Sequence, residues 1–293
     1  MVHVPVLLNE VMSALAPQPG ATYIDATFGG GGYSRRMLDA APCRVVAIDR
    51  DPDAAVRASA LHGEYGERFS FVQSNFANIH ETLRCLDYSG VVFDFGVSSF
   101  QLEDDARGFS FMHDGPLDMR MSGDGATAAD VVNTYSAKDL ERIIQLYGDE
   151  PFARKISQAI VAHRASQPLL RTLDLANVVR SVVKKVKAID PATKTFQALR
   201  IFVNDELREI RLALDAIAAD VAQRPHLAPV CVITVTFHSL EDRIVKLWSQ
   251  RLKQEGRTDG NALRVTVPSC DELHENPRSR SAKMRKVVLL SQS

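Results

Sequence analysis

The chain reads as an α/β protein: a doubly wound, mostly parallel sheet with an inserted all-helical domain. Three observations predict this. From residue 22 to residue 95, short runs rich in β-branched residues alternate with amphipathic runs of helix length, the pattern of a parallel sheet with helices on both faces. Four consecutive glycines, Gly29 to Gly32, separate the first strand from the helix after it. From about residue 126 to residue 203 only helical spacing is found, and a strand pattern resumes at Val230. The economical division is a sheet domain of 1–105 plus 204–293 and an inserted helical domain of 106–203.

Taken in order, His3 to Glu10 precede a short amphipathic helix that Pro17 and Pro19-Gly20 end. Strand 22–27 leads to a helix near 33–41. Strand 44–48 leads to a helix near 53–62 that Asp51-Pro52 opens. Strand 69–73 leads to a helix near 77–86, and strand 91–95 follows. Residues 96–125, rich in Gly, Asp and Ser, read as loop. Ser136 and Asp139 form a capping-box pattern for a helix to Tyr147. A helix near 151–165 stops before Pro168, and Thr172 is read as the cap of one reaching Val186. Another follows Asp190-Pro191. Leu207, Ile210, Leu214, Ile217 and Val221 recur at helical spacing, so 205–222 is a strong amphipathic helix. Strand 230–237 precedes a helix capped by Ser239, and Val287 to Leu290 reads as a last strand.

Composition bounds the function. Apolar residues make up 45% of the chain and charged residues 24%, ordinary values for a globular protein. A net charge of −1 excludes polyanion binding by bulk charge, so any nucleic-acid face must be a local patch. Cys43, Cys85, Cys231 and Cys270 are far apart and form no C-x-x-C pair, which points to a reducing compartment rather than a disulfide framework. The eight histidines are scattered and suggest no metal site. No secretory signal pattern and no apolar run of membrane-spanning length is present. A cytoplasmic protein without a membrane partner is the expectation.

The chemistry concentrates at the ends of the strands, where open parallel sheets bind ligands. Gly29 to Gly32 let the backbone turn sharply, and the helix start beyond them offers N–H groups to a ligand. Asp49, at the tip of the second strand, is placed to accept hydrogen bonds from ribose hydroxyls. Together they imply a nucleoside-containing cofactor, either a dinucleotide or S-adenosylmethionine. No Gly-Lys-Ser/Thr follows, so a P-loop is excluded, and Ser34 falls where a dinucleotide fingerprint begun at Gly29 needs its last glycine. Phe76 lies just past the third strand and is a candidate to pack on an adenine. Asp94 ends the fourth, where an acid can accept a hydrogen bond from an amine nucleophile or steer the cofactor. Basic residues gather in the insert (Arg154, Lys155, Arg164, Arg171, Arg180, Lys184, Lys185, Lys187, Lys194 and Arg200) and in the tail from Asn276 to Lys286, which holds no acid. Both are candidates to follow an RNA backbone, the tail the better one because Ser and Arg alternate there without helical periodicity.

These residues resemble a known family. His3 to Glu10, Asp25 to Arg35, Ala47 to Pro52, Asp94 to Gln101, Arg107 to Phe111, Asp114 to Met121, Thr195 to Asn204, Phe237 to Arg243 and Asn276 to Arg278 are similar to segments of the bacterial small-subunit (16S) ribosomal RNA cytosine-N4 methyltransferases. The resemblance implies a Rossmann-like S-adenosylmethionine-dependent enzyme that methylates the exocyclic N4 of a cytidine in small-subunit ribosomal RNA. It implies cofactor contacts from Gly31, Gly32, Tyr33, Asp49 and Phe76, with Asp94 and Gln101 near the methionine end and Asp94 as the catalytic candidate. Tyr33 stands where many relatives have His, and Phe100 where they have Pro. The competing readings are a nicotinamide-dependent oxidoreductase and a non-enzymatic RNA-binding ribosome-assembly factor.

Overall fold

A computed structural model describes residues 5–184, 189–227, 229–259 and 261–290. The expectations for His3, Lys185, Lys187 and a helix end at Val186 lie outside these residues. The chain forms two units, residues 1–96 with 207–293 and residues 97–206.

The first unit opens with α1 (Leu8–Leu15) and then alternates: β1 (Thr22–Asp25), α2 (Gly32–Ala40), β2 (Arg44–Asp49), α3 (Pro52–Tyr65), β3 (Phe69–Gln73), α4 (Ile79–Leu83) and β4 (Gly90–Asp94). The apolar runs that predict the central strands are there because both faces of those strands are covered. All of Gly90 to Phe93 is buried, as are Tyr23, Ile24 and Asp25. Asp51 caps α3 by accepting the Asp53 N–H, with Pro52 at the first helical position where its missing N–H costs nothing. The expected helix near 77–86 is shorter, a 3₁₀ turn over Phe76–Asn78 followed by α4.

The second unit holds α5 (Ser99–Glu103), α6 (Ala128–Thr134), α7 (Ala137–Gly148), α8 (Ala153–Arg164), α9 (Thr172–Val182) and α10 (Thr193–Asn204). Its core is Leu140, Ile144, Ile156, Ile160, Leu175, Val179 and Leu199, each fully buried. Two expectations fail here. The stretch read as loop contains α5, because Ser98 and Gln101 form a reciprocal capping box. Thr172 is not a cap: Arg171 is, and the Thr172 hydroxyl instead accepts the Gly115 N–H at 3.0 Å and donates to the His113 carbonyl at 3.2 Å. The loop before α6 is tightly built. A Cβ on Gly115 would stand 1.8 Å from the Asp105 carbonyl oxygen. Met119 sits at φ 66 with its carbonyl accepting from the buried Asn204 amide at 2.7 Å, while Asn204 Oδ1 accepts the Met121 N–H at 2.8 Å.

The chain returns through α11 (Glu206–Gln223), β5 (Val230–Thr236), α12 (Ser239–Gln254), β6 (Val265–Thr266), α13 (Cys270–Glu275) and β7 (Lys283–Leu289). Leu207, Ile210, Leu214, Ile217 and Val221 of α11 are all buried, as their spacing requires. His238, not Ser239, caps α12: its Nδ1 accepts the Glu241 N–H, and the Glu241 carboxylate accepts the His238 N–H. The last strand begins at Lys283, four residues before its sequence signal, so the last four of the eleven residues of the expected basic tail are sheet.

Among the described residues the sheet has seven strands in the order β3-β2-β1-β4-β5-β7-β6. β1 to β5 run parallel, and β7 is antiparallel to both β5 and β6. From β1 the chain winds outward to β2 and β3, then returns to place β4 on the other flank of β1. The crevice beyond Asp25 and Asp94 is therefore the topological switch point. No helix among the described residues is long and apolar enough to cross a membrane.

Candidate active site

Strand register brings the tips of β1, β2 and β4 together. Asp25 pairs with Ala47 of β2 and Val92 of β4, so Asp49 and Asp94 each extend two residues beyond it. The glycine loop is tied to this edge by its own backbone. The Phe28 N–H donates to the Ile48 carbonyl at 3.0 Å, the Gly29 N–H to Asp49 Oδ2 at 2.7 Å, and Arg57 Nε to the Gly29 carbonyl at 2.8 Å. Gly31 caps α2 at φ 78, where an added Cβ would lie 2.7 Å from the Phe28 ring. A Cβ on Gly32 would lie 2.2 Å from Pro5 Cγ. Both glycines are thus required by space and not only by flexibility. The N–H groups of Gly32 and Tyr33 belong to the first turn of α2, which has no preceding carbonyls to bond. The Tyr33 ring is buried and its hydroxyl donates to the Val6 carbonyl, so that side chain packs and only its backbone is available to a ligand.

The acids differ in what holds them. Asp25 is fully buried; it accepts the Ser34 hydroxyl at 2.6 Å and the Thr27 N–H at 3.4 Å. Burial pushes its pKa up to about 6, against those hydrogen bonds, and the nearby Asp49 charge adds to the rise. Asp49 accepts from Gly29 through one oxygen and from the Asp51 N–H at 2.9 Å through the other; burial raises it too. Asp94 is placed by its own N–H, which donates to Thr27 Oγ1 at 2.6 Å. Its Oδ1 is buried and has no hydrogen-bond partner among the described residues. Burial raises Asp94 well above the carboxylate range, and the charges of Asp25 and Glu241 push the same way. An ionised carboxylate oxygen without a donor or a cation is expensive; burial raises all three acids, Arg50 opposes the rise at Asp49, and at Asp94 only further acids act.

Phe76 stands beside this edge, its ring 5.9 Å from both Phe93 and Phe95 while part of it stays accessible. That leaves a flat aromatic surface suited to a planar ligand group. Gln101 belongs to the second unit, where it is buried and its Oε1 accepts the Ser98 N–H at 2.9 Å. The first unit thus gathers Gly31, Gly32, Tyr33, Asp49, Phe76 and Asp94, and Gln101 is a capping residue of the other unit. Sequence reasoning passed over Thr27, Ser34 and Glu241. Thr27 and Ser34 flank the glycines, and hydroxyls beside an obligatory acid were the available signal. Glu241 had none, because its approach to Asp94 depends on the pairing of β4 with β5.

The basic clusters partly dissolve into structural pairs. Arg180 makes a forked pair with Asp190, Arg200 one with Glu206, and Arg171 bonds Asp114. Arg164 donates to the Val132 carbonyl at 2.6 Å, and Lys194 to that of Asp149 at 2.7 Å. Arg154, Lys155 and Lys184 are exposed. The tail, read as a basic stretch without helical periodicity, is built into the fold: Pro277–Ser281 is a 3₁₀ turn and Lys283 onward is β7. There Arg285 is buried against Asp242 at 2.8 Å, and Lys286 donates to the Ala14 carbonyl at 2.6 Å.

A model of the MraW methylase family matches residues 1–289. The protein of Anaplasma phagocytophilum named Ribosomal RNA small subunit methyltransferase H is 48% identical, with 98% of each chain covered. Proteins of the same name from Acidiphilium cryptum and Rhodospirillum rubrum are 46% and 47% identical; the matches cover 99% and 97% of this chain and 98% and 93% of theirs.

Proposed function

The chain belongs to the MraW methylase family, and from that premise we propose that it methylates the exocyclic N4 of a specific cytidine in small-subunit ribosomal RNA, with S-adenosylmethionine as methyl donor. The observation that carries the choice of cofactor is the acid cluster at the switch point: Asp25, Asp49 and Asp94 are all raised by burial, and Asp94 Oδ1 is buried without a partner among the described residues. Such a site favours a cation. S-adenosylmethionine carries a sulfonium and an ammonium, whereas the pyrophosphate of a nicotinamide dinucleotide would add negative charge to it. The residues present therefore fit the former.

In this reading Gly31, Gly32 and Tyr33 meet the cofactor through their backbone. Asp49 takes a ribose hydroxyl on the second lone pairs of oxygens that already hold the glycine loop. Phe76 packs beside the adenine, and Asp94 serves the methionine end. S-adenosylmethionine, when bound, supplies a methyl group already activated by the positive sulfur. The chain's work is then alignment, which contributes about 7–11 kcal/mol in well-oriented systems, and polarisation of a poor nucleophile. The cytosine amine delocalises its lone pair into the ring. Asp94, by accepting one N–H of that amine, returns electron density to the nitrogen and stabilises the positive charge that develops there. The target must be unpaired or flipped to reach a sheet edge. The helical unit is assigned to substrate recognition, and the protein to the cytoplasm. A substrate of small-subunit RNA, free or in the particle, is what the relatives' names support.

The test is calorimetric binding followed by turnover. Wild type should bind S-adenosylmethionine and not a nicotinamide dinucleotide. Asp94→Asn should cut methyl transfer by about 10²–10⁴, the usual worth of a positioned proton acceptor, with cofactor affinity within a few fold. Loss of cofactor binding with unchanged turnover at saturation would remove the polarising role. Salt-sensitive RNA binding with no methyl transfer would favour the assembly-factor reading instead.

A further inference from the structure

Beyond Asp94 the carboxyl edge of the sheet continues over β5, β7 and β6, and there the first unit holds a cavity of about 540 Å³. Its place follows from the register. Asp94 pairs with Val235, Phe237 comes two residues later, and Thr236 pairs with Lys283 of the antiparallel β7. Thr266 of β6 pairs with Met284, which brings Val267 to the same edge. None of the lining residues belongs to the glycine loop or to the acid cluster.

Two kinds of surface meet in this cavity. Phe237, Val267 and Leu273 supply an apolar wall, and Val267 and Leu273 are left 60% and 36% exposed. Arg280, Ser239 and Ser281 supply polar groups; all three are exposed. Among the described residues the Arg280 side chain makes no hydrogen bond or ion pair, unlike those of Arg285 and Lys286 nearby, which are committed to the fold. Ser239 is the first residue of α12, so the start of a sixteen-residue helix, whose Glu241 N–H the His238 cap already takes, opens at the same place. An aromatic wall beside an uncommitted arginine and a helix N-terminus is the combination that takes a nucleobase and its phosphate together. The volume lies within the range of sites for ligands of nucleotide size.

We propose that this cavity holds a nucleotide of the RNA strand next to the target cytidine, with its base against Phe237 and its phosphate on Arg280. The proposal rests on the methyltransferase reading for the identity of the strand. It gives the paired strand tips of β4 and β5 a division of labour: β4 presents the acid at the reacting base, and β5 with β7 anchors the neighbouring nucleotide. The phosphate sets the register and the apolar wall tolerates any base.

The experiment measures the anisotropy of a fluorescein-labelled single-stranded oligocytidylate over a range of salt. Arg280→Glu should weaken binding at least tenfold and lower the salt slope by about one. Phe237→Leu should weaken it about tenfold, in line with the worth of one stacked base, without changing the slope. Ser239→Asp separates the pocket from the fold: an acid at this helix start stabilises the helix, so thermal stability should hold or rise while RNA affinity falls. RNA affinity unchanged in Arg280→Glu and Ser239→Asp, or no binding by wild type, would overturn the proposal. Methyl transfer by wild type is measured in the same preparations. Transfer without Arg280-dependent binding would remove the pocket alone, and Arg280-dependent binding without transfer would remove the methyltransferase reading alone.

Discussion

Replacing Asp25 by Asn should make the protein more stable at neutral pH while weakening its cofactor site. Asp25 is fully buried, and its pKa rises from 3.8 to about 6. The sign follows from proton counts. Below pH 4 both folded and unfolded chains hold the proton, and the group costs nothing. Between pH 4 and 6 the unfolded chain has lost it and the folded chain has not, so stability falls as pH rises. Above the folded value the penalty is complete, about 3 kcal/mol for a shift of roughly two units. Asn carries no charge to bury, and the Ser34 hydroxyl, which can rotate, serves an amide as well as a carboxylate. Urea unfolding of the cofactor-free protein across pH 4 to 8 should therefore show wild type losing about 3 kcal/mol relative to Asp25→Asn. S-adenosylmethionine affinity should fall in the variant, because an acid that favours a cation is gone. Parallel stability curves for the two proteins would refute the claim that burial without a counter-charge defines this site.

Gly31→Ala should destabilise the fold by at least about 1–2 kcal/mol, the cost of a left-handed conformation for a residue with a Cβ, since φ is 78 and the new methyl meets the Phe28 ring; a urea midpoint at or above that of wild type would contradict it. Asn204→Ala should cost about 1–3 kcal/mol for each buried group it orphans, here the Met121 N–H and the Met119 carbonyl. Asn204→Asp should keep the first bond but set a second acceptor against the Met119 carbonyl and bury a charge, so its thermal midpoint at neutral pH should fall to or below that of Asn204→Ala; equal midpoints for the three proteins would mean that the loop holds itself.

Much of the sheet was legible because buried parallel strands must be apolar on both faces, which makes Val91 to Phe93 or Val45 to Ile48 hard to misread. The grouping of the candidate site at the sheet edge was legible for a related reason: glycines, and acids at strand tips, have few structural excuses. Contributions that depend on pairing were not legible. β6 has two residues and exists only because β7 lies beside it. Lys283 to Lys286 look like a basic arm in the sequence, yet Arg285 is buried because Asp242 waits across the fold. Helix boundaries slipped for a local reason. Ser239 and Thr172 carry good capping side chains, but the neighbours His238 and Arg171 have the extended backbone that a cap requires. The capping bond between Gln101 and Ser98 was hidden in a stretch read as loop.

The most direct measurement is transfer of a radiolabelled methyl group from S-adenosylmethionine to small ribosomal subunits that lack the modification, followed by nuclease digestion and mass analysis of the nucleosides. The label should appear in N4-methylated cytidine, and Asp94→Asn should abolish most of it. Label on a ring carbon, a ribose or another base would contradict amine methylation steered by Asp94, even with the cofactor bound as described.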